Sequence, residues 1–468
     1  MPIALPDELV DRLRAADQAH VLQFWDELED VGRGRLLDQL RDIDLSLIGK
    51  LVAGEDEKPD FVGMANRALP PPAVRIDGTG AAWSAADATR AGQQALAAGR
   101  VGAVIVAGGQ GTRLGFDQPK GMFPIGPLSG RTLFQFFADK ILATQARYGV
   151  VVPLYLMTSP LTHEETERYW RENGYLGLRP ENVIVFCQGT MPAVDAQTGK
   201  LLLSAKDSLS LSPDGHGGTV RALGLAGCYE DAAARGIDIF SYIQVDNPLA
   251  SLCDPDLIGH HLMAGSEMTT QVVRKRYPEE KVGNVVMIDG ALRIIEYSDL
   301  PAEAASKLDE DGNLLLWAGN IAVHVLDVGF LRRANASADA LPFHRAHKVT
   351  PYLDGEGKTI QPTSPNSIKF ERFIFDLLPA AENGFVVEAD PDTSFAPVKN
   401  GDGAAHDTPT STRQMICRLH RQMLESCGVH VAPGMRVEIN ARYALDLKEL
   451  GDKTPAGTTC HEDRYFGP

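Results

Sequence analysis

No run of eighteen apolar residues occurs in the 468-residue chain, so a membrane-spanning helix is not expected. Cysteine is scarce: Cys187, Cys228, Cys253, Cys417, Cys427 and Cys460 are scattered and form no C-x-x-C pair. That spacing argues against a disulfide framework or a structural zinc site and for reduced thiols. Positive charge is also short, with 45 Lys and Arg against 62 Asp and Glu and a net charge of −17. A surface that acidic repels polyphosphate backbones, and with no basic stripe or aromatic platform a nucleic-acid partner is not expected. The opening residues, from Met1 to Gln18, acquire acidic side chains at once and lack a secretory pattern, so a cytoplasmic location is expected.

What the chain does contain is an alternation of short apolar runs with helical patterns. Residues 7–44 read as amphipathic helices, with Leu9, Leu13, Val21, Phe24, Trp25 and Leu28 near helical spacing. Residues 52–85 carry Pro59, Pro70, Pro71 and Pro72 and read as a connecting loop. Strands are expected at 101–107, 150–157, 183–187 and 240–245, with a helix from near Thr132 and another starting at Thr162, where Glu165 completes a capping-box pattern. Asp289-Gly290 between two apolar runs predicts a hairpin, and 411–425 predicts a late helix. The fold class that follows is α/β: a Rossmann-like, mostly parallel sheet sandwiched by helices. An N-terminal helical segment (1–95), a catalytic domain (96–400) and a short C-terminal lobe (401–468) are expected.

After the first strand comes Gly108-Gly109-Gln110-Gly111-Thr112-Arg113-Leu114-Gly115, then Pro119-Lys120-Gly121. Glycines after a buried strand let backbone N–H groups approach an anion, and Arg113 and Lys120 add fixed positive charge. Two common phosphate motifs fail here. No Gly-Lys-Ser/Thr completes a P-loop, and a dinucleotide fingerprint would need its third glycine at Leu114.

The loop resembles the L-x-G-G-x-G-T-R-L-G…P-K-G signature of the UDP-sugar pyrophosphorylases, a family of nucleotide-diphospho-sugar transferase fold. Within it, the resemblance is to the UDP-N-acetylglucosamine pyrophosphorylases of the eukaryotic type. It extends in order through 20–29, 212–223 (Ser-Pro-Asp-Gly-His-Gly-Gly), 244–247 (Gln-Val-Asp-Asn), 318–321 (Ala-Gly-Asn-Ile), 365–371 (Pro-Asn-Ser-Ile-Lys-Phe-Glu) and 395–400 (Phe-Ala-Pro-Val-Lys-Asn). The resemblance implies transfer of a uridylyl group from UTP to a sugar 1-phosphate, with Mg2+ as cofactor, Asp246 as its carboxylate ligand and pyrophosphate as leaving group. It implies Arg113, Lys120, Lys369 and Lys399 as the phosphate-contacting cations. Gly108, Gly109, Gly111, Thr112, Gln188 and Gly215 would bind UTP, and Gly283, Glu296, Tyr297 and Asn320 the hexose.

His216 departs from the pattern. The acetylglucosamine enzymes carry asparagine there, whereas the UDP-glucose enzymes carry a G-H-G element like Gly215-His216-Gly217. His216 either touches the sugar phosphate or exchanges one hydrogen-bonding side chain for another of similar reach. The expected product is therefore UDP-N-acetylglucosamine or UDP-N-acetylgalactosamine, with glucose or galactose 1-phosphate as alternative substrate and a silent UDP-sugar sensor as a third reading. The tail after the late helix is shorter than the family's, which implies a monomer.

Overall fold

A computed structural model describes residues 3–54, 60–337 and 341–468. The chain divides into two compact units. The larger is assembled from Phe61–Cys187, Thr219–Ala340 and Phe375–Pro468, the smaller from Met1–Asp60, Gln188–Gly218 and Leu341–Ile374.

The larger unit is built on a sheet whose nine strands, among the described residues, run in chain order as β1 (Val101–Val106), β2 (Leu154–Thr158), β3 (Val183–Cys187), β4 (Ile239–Gln244), β5 (Met268–Arg274), β6 (Gly283–Ile288), β7 (Ala291–Ile295), β8 (Ala318–Asp327) and β9 (Gly384–Ala389). In space β3, β2, β1 and β4 lie side by side and all parallel. Their residues are almost wholly apolar, as strands covered on both faces must be. Beyond β4 the sheet continues through antiparallel β8, which also pairs with β5 and β6, while β9 runs parallel to β5. The β6–β7 hairpin turns at Asp289 (φ 51°) and Gly290 (φ 81°), two positive φ values that suit the predicted Asp-Gly turn.

The helix Leu133–Tyr148 follows the glycine-rich loop. Thr132 accepts from the Gln135 N–H while Gln135 accepts from the Thr132 N–H, and Gly149 closes the other end at φ 68°. Residues Leu133, Phe134, Phe137 and Ile141 bury its apolar face in the same core as Ile105, Leu156 and Ile243. The chain from 409 onward forms the helix Pro409–Ser426 and two parallel strand pairs, His430–Val431 with Thr459–Cys460 and Val437–Ile439 with Arg464–Phe466. Leu424, Val437, Leu450 and Phe466 form its core.

In the smaller unit the helices Asp7–Ala15, Asp30–Asp42 and Leu45–Ala53 share a core with a three-stranded sheet. Ser367–Glu371 is its middle strand, between His344–Lys348 and Val194–Asp195. No helix among the described residues is long and apolar enough to cross a membrane.

Three local expectations need correction. The strand expected from 150 begins only at Leu154, because Pro153 precedes it and offers no N–H to a ladder. The connecting loop 52–85 contains a helix, Phe61–Arg67, whose Ala65 enters a small apolar cluster with Val286 and Ile295; Pro59 lies outside the described residues. Thr162 does not cap its helix. Its hydroxyl is buried and accepts instead from the Ser159 N–H at 3.1 Å, closing the turn before the helix.

Candidate active site

The functional edge is set by the parallel block. Val106 pairs with Gln244, so β1 and β4 end side by side and the loops after them leave the sheet together. Ligands of open α/β sheets bind outside such carboxyl ends. The loop after β1 is folded back on itself: Lys120 N–H donates to Gly109 O at 3.0 Å, and Gly111 N–H to Gln118 O at 2.9 Å. Ser159, past the end of β2, donates its hydroxyl to Gly108 O at 2.7 Å. These bonds bring the two separate motif pieces into one loop.

Its glycines serve different ends. A Cβ on Gly111 would lie 2.7 Å from Phe116, and one on Gly121 2.1 Å from the Phe134 ring, so packing alone requires both. A Cβ on Gly109 would meet nothing within 4 Å. That open flank is where a phosphate could approach the backbone. Thr112 and Arg113 sit in an exposed turn beside it.

Asp246 lies two residues past β4. Its Oδ2 is 3.6 Å from Lys120 Nζ, and both side chains keep about one-sixth of their surface exposed. The backbone around it is tied to a distant segment. Val398 N–H donates to Asp246 O at 2.8 Å, while Asn247 donates to Ser394 O at 2.8 Å and accepts from Ala396 N–H at 3.0 Å. Lys399 is thereby brought to the same edge, with Arg113 O only 3.1 Å from where a Cβ on Gly401 would stand. The structure thus joins Gly108, Gly109, Arg113, Lys120, Asp246 and Lys399.

Asp407 was not expected here. Its carbonyl accepts from both Lys399 and Asn400 N–H groups, at 2.8 and 3.0 Å. Burial holds its carboxyl above the ordinary carboxylate pKa, with Lys399 and His406 opposing and the charge of Asp246 adding to the rise. Its one sequence signal was an acidic residue just before the Thr-Pro start of a helix, which reads as a capping region.

Asp246, partly exposed at the sheet edge, fits a magnesium ion, which takes one or two carboxylates and fills its other positions with phosphate oxygens and water. No cluster of three or more His, Cys, Asp or Glu among the described residues forms a self-sufficient metal cage.

A second group gathers at the antiparallel edge. Gly283 pairs with Asn320 across β6 and β8, and Asn284 with Ile295 across β6 and β7. A Cβ on Gly283 would stand 2.8 Å from Glu296 Oε1, so Gly283, Glu296 and Asn320 converge. Asn320 is nearly buried, at 9 % exposure, and its Oδ1 accepts from Ala322 N–H at 3.0 Å within a bulge where Ala322 has φ 55°. Its amide N–H groups are left to donate. Tyr297 is about half exposed beside them.

The remaining predicted residues, Gln188, Gly215, His216 and Lys369, belong to the smaller unit. Lys369 is in the middle strand, where alternation sends Ile368 and Phe370 into the core and Lys369 to the opposite face. Gly215, at φ 84°, has Arg372 O 2.3 Å from a would-be Cβ, so no other residue fits. His216 Nδ1 accepts the Ile374 N–H at 3.2 Å, which leaves the ring proton on Nε2. Burial, and secondarily His344, push its pKa down to about 4. Gln188 is buried at 8 % exposure.

A glycine-rich loop that is neither a P-loop nor a dinucleotide fingerprint, facing a carboxylate and two lysines at a parallel sheet edge, is the arrangement of a nucleotidyltransferase. Comparison with known proteins narrows the class. The family model described as UTP–glucose-1-phosphate uridylyltransferase matches residues 83–414. A UDP-N-acetylhexosamine pyrophosphorylase-like protein 1 of Xenopus tropicalis is 36% identical over 438 residues, 90% of this chain and 84% of that protein. A UDP-N-acetylglucosamine pyrophosphorylase of Saccharomyces cerevisiae is 39% identical over 368 residues, 77% of each chain. The crystal structure of the Trypanosoma brucei uridine diphosphate N-acetylglucosamine pyrophosphorylase in complex with inhibitor superposes with a TM-score of 0.80 at 25% identity, covering 96% of this chain and 95% of that one. The chain belongs to the UTP–glucose-1-phosphate uridylyltransferase family and is a UTP:sugar-1-phosphate uridylyltransferase.

Proposed function

We propose that this enzyme forms UDP-N-acetylglucosamine and pyrophosphate from UTP and N-acetylglucosamine 1-phosphate. An oxygen of the sugar phosphate attacks the α-phosphorus of UTP in line, and the bond to pyrophosphate breaks. Two anions must meet, so the protein's contribution is charge neutralisation and positioning. In this reading Arg113 and Lys120 hold the leaving pyrophosphate, while Lys399 and Lys369 hold the α-phosphate and the sugar phosphate. Gly108, Gly109, Gln188 and Gly215 read the uracil, and Gly111 and Thr112 complete the loop around UTP. Asp246 is the ligand of Mg2+, which when bound would neutralise charge on the phosphate oxygens. Gly283, Glu296, Tyr297 and Asn320 supply partners for the hexose hydroxyls and acetamido group.

The observation that carries the reading is the meeting of Lys120, Asp246 and Lys399 at one sheet edge from three distant points of the chain. The names of the relatives support N-acetylhexosamine as the sugar. His216 supports glucose 1-phosphate as the competing substrate, because Gly215-His216-Gly217 resembles the G-H-G element of the UDP-glucose enzymes. A cytoplasmic monomer, with linear spans 1–95, 96–400 and 401–468, completes the proposal. Parallel pyrophosphate-release assays on N-acetylglucosamine, N-acetylgalactosamine, glucose and galactose 1-phosphates test it. The highest kcat/KM is expected for an N-acetylhexosamine phosphate, and a strong preference for glucose 1-phosphate would overturn the sugar assignment.

A further inference from the structure

Helix Leu133–Tyr148 carries two charged residues in the middle of its apolar run, Asp139 and Lys140. Asp139 is accounted for by Arg131 and Asn440, which both bond its carboxylate. Lys140 has no carboxylate at salt-bridge distance among the described residues. Its ammonium donates instead to two main-chain carbonyls, Pro248 O at 3.1 Å and Ala250 O at 2.9 Å. Those carbonyls belong to the turn that begins with Asp246 and Asn247.

That turn is held from two sides. Toward the phosphate loop, Asp246 O and the Asn247 amide tie it to residues 394–398 and hence to Lys399. From the opposite side it faces a cavity of about 470 Å³, lined by Lys140, Leu252, Asp254, Leu419 and His420 among others. Ala250 and Leu252 share the apolar core of the helix, and the Lys140 ammonium adds a polar tie between the turn and the helix beside that packing. Burial lowers its pKa to about 8, with the Asp254 charge opposing, so it is largely charged at neutral pH. Charge-assisted bonds to carbonyls are stronger than neutral ones, and partners behind a metal-bearing carboxylate fix its direction.

We propose that Lys140 is a positioning residue for uridylyl transfer: by gripping the Pro248 and Ala250 carbonyls it aims the Asp246 carboxylate at the divalent ion and, through Asn247, sets Lys399. The inference rests on Asp246 as the metal ligand proposed above.

The test is Mn2+ titration of the full chain followed by electron paramagnetic resonance, on wild type, D246N, K140M and K140R. K140M keeps the volume of the stem and removes the donors; K140R keeps charge and donors. Loss of a partner bonded directly to a ligand costs roughly 10–100-fold in metal affinity, which sets the upper limit for Lys140, one step further out. Mn2+ affinity is expected to fall by about 10-fold in K140M, with recovery to within a few-fold of wild type in K140R. Steady-state kinetics should show lowered kcat in K140M with a much smaller change in the KM for UTP. Should K140M not fold, K140Q, which donates without charge, is measured in its place and a smaller loss in the same direction is expected, wild-type affinity overturning the role of Lys140. Loss of Mn2+ binding in D246N with wild-type affinity in K140M overturns the role of Lys140 alone. Unchanged binding in D246N overturns the metal assignment and the inference with it.

Discussion

Lys120 and Asp246 are each other's counter-charge at 3.6 Å, and both face the edge where UTP is proposed to bind. A lysine in that position gains most when negative charge builds on the departing pyrophosphate. Replacing a preorganised cation of this type costs roughly 10²–10³-fold in kcat. Lys120→Ala and Lys399→Ala should each show a loss of that order, with uridine affinity changed far less; Lys399→Ala with wild-type turnover would remove that lysine from the mechanism. The loop glycines are legible because they follow an apolar strand, and Lys120 because it lies in the same glycine-rich loop; Asp246 follows an apolar run, but its reading as a metal ligand comes from the resemblance. Lys369 and Lys399 read as site lysines only through the family resemblance, since a lone lysine otherwise reads as surface. Asp407 and Lys140 were not legible, because what distinguishes them is a through-space partner 150 or more residues away for Asp407, and two main-chain carbonyls for Lys140.

The helices Ala85–Ala97 and Pro255–Met263 touch through a reciprocal pair of glycines. A Cβ on Gly92 would stand 1.8 Å from Pro255 O, and one on Gly259 1.7 Å from Ala88 O. Both contacts are with backbone, which cannot turn aside, so Gly92→Ala and Gly259→Ala should each destabilise the larger unit by about 1–3 kcal/mol or more. Chemical denaturation would show this as a lower midpoint; unchanged midpoints would mean the helices can separate freely. At this scale the sequence was readable wherever pattern and punctuation agreed. Thr132 with Gln135 and Asp289-Gly290 did what their local chemistry predicts. Thr162 had the same capping spacing, but its buried hydroxyl found Ser159 first. The Phe61–Arg67 helix was hidden by the proline-rich reading of its segment, since Pro70, Pro71 and Pro72 follow the helix without entering it.

Across the whole molecule the two compact units are interleaved along the chain, a feature that no window of local pattern can register. Four wholly or partly buried histidines in them have depressed pKa values: His216 and His261 at about 4, His420 at about 3, and His260 lowered as well, each chiefly through burial. In the unfolded chain these rings titrate near 6.5 and bind protons that the folded protein refuses. Their contribution is complete above about pH 6.5 and is lost as pH falls through the folded values. Thermal unfolding should therefore show Tm declining between about pH 6.5 and 4, with a shallower decline in His261→Asn if that variant folds. A Tm that is flat across this interval would contradict the buried neutral rings.

The edge carrying Lys120, Asp246 and Lys399 is proposed to perform uridylyl transfer. Phosphorus-31 NMR of the purified protein with UTP, N-acetylglucosamine 1-phosphate and Mg2+ tests it most directly. The account predicts resonances of UDP-N-acetylglucosamine and pyrophosphate growing in equal amounts, and their loss in D246N. UTP bound by the protein with no product formed from any sugar phosphate would contradict it and leave a UDP-sugar sensor in its place.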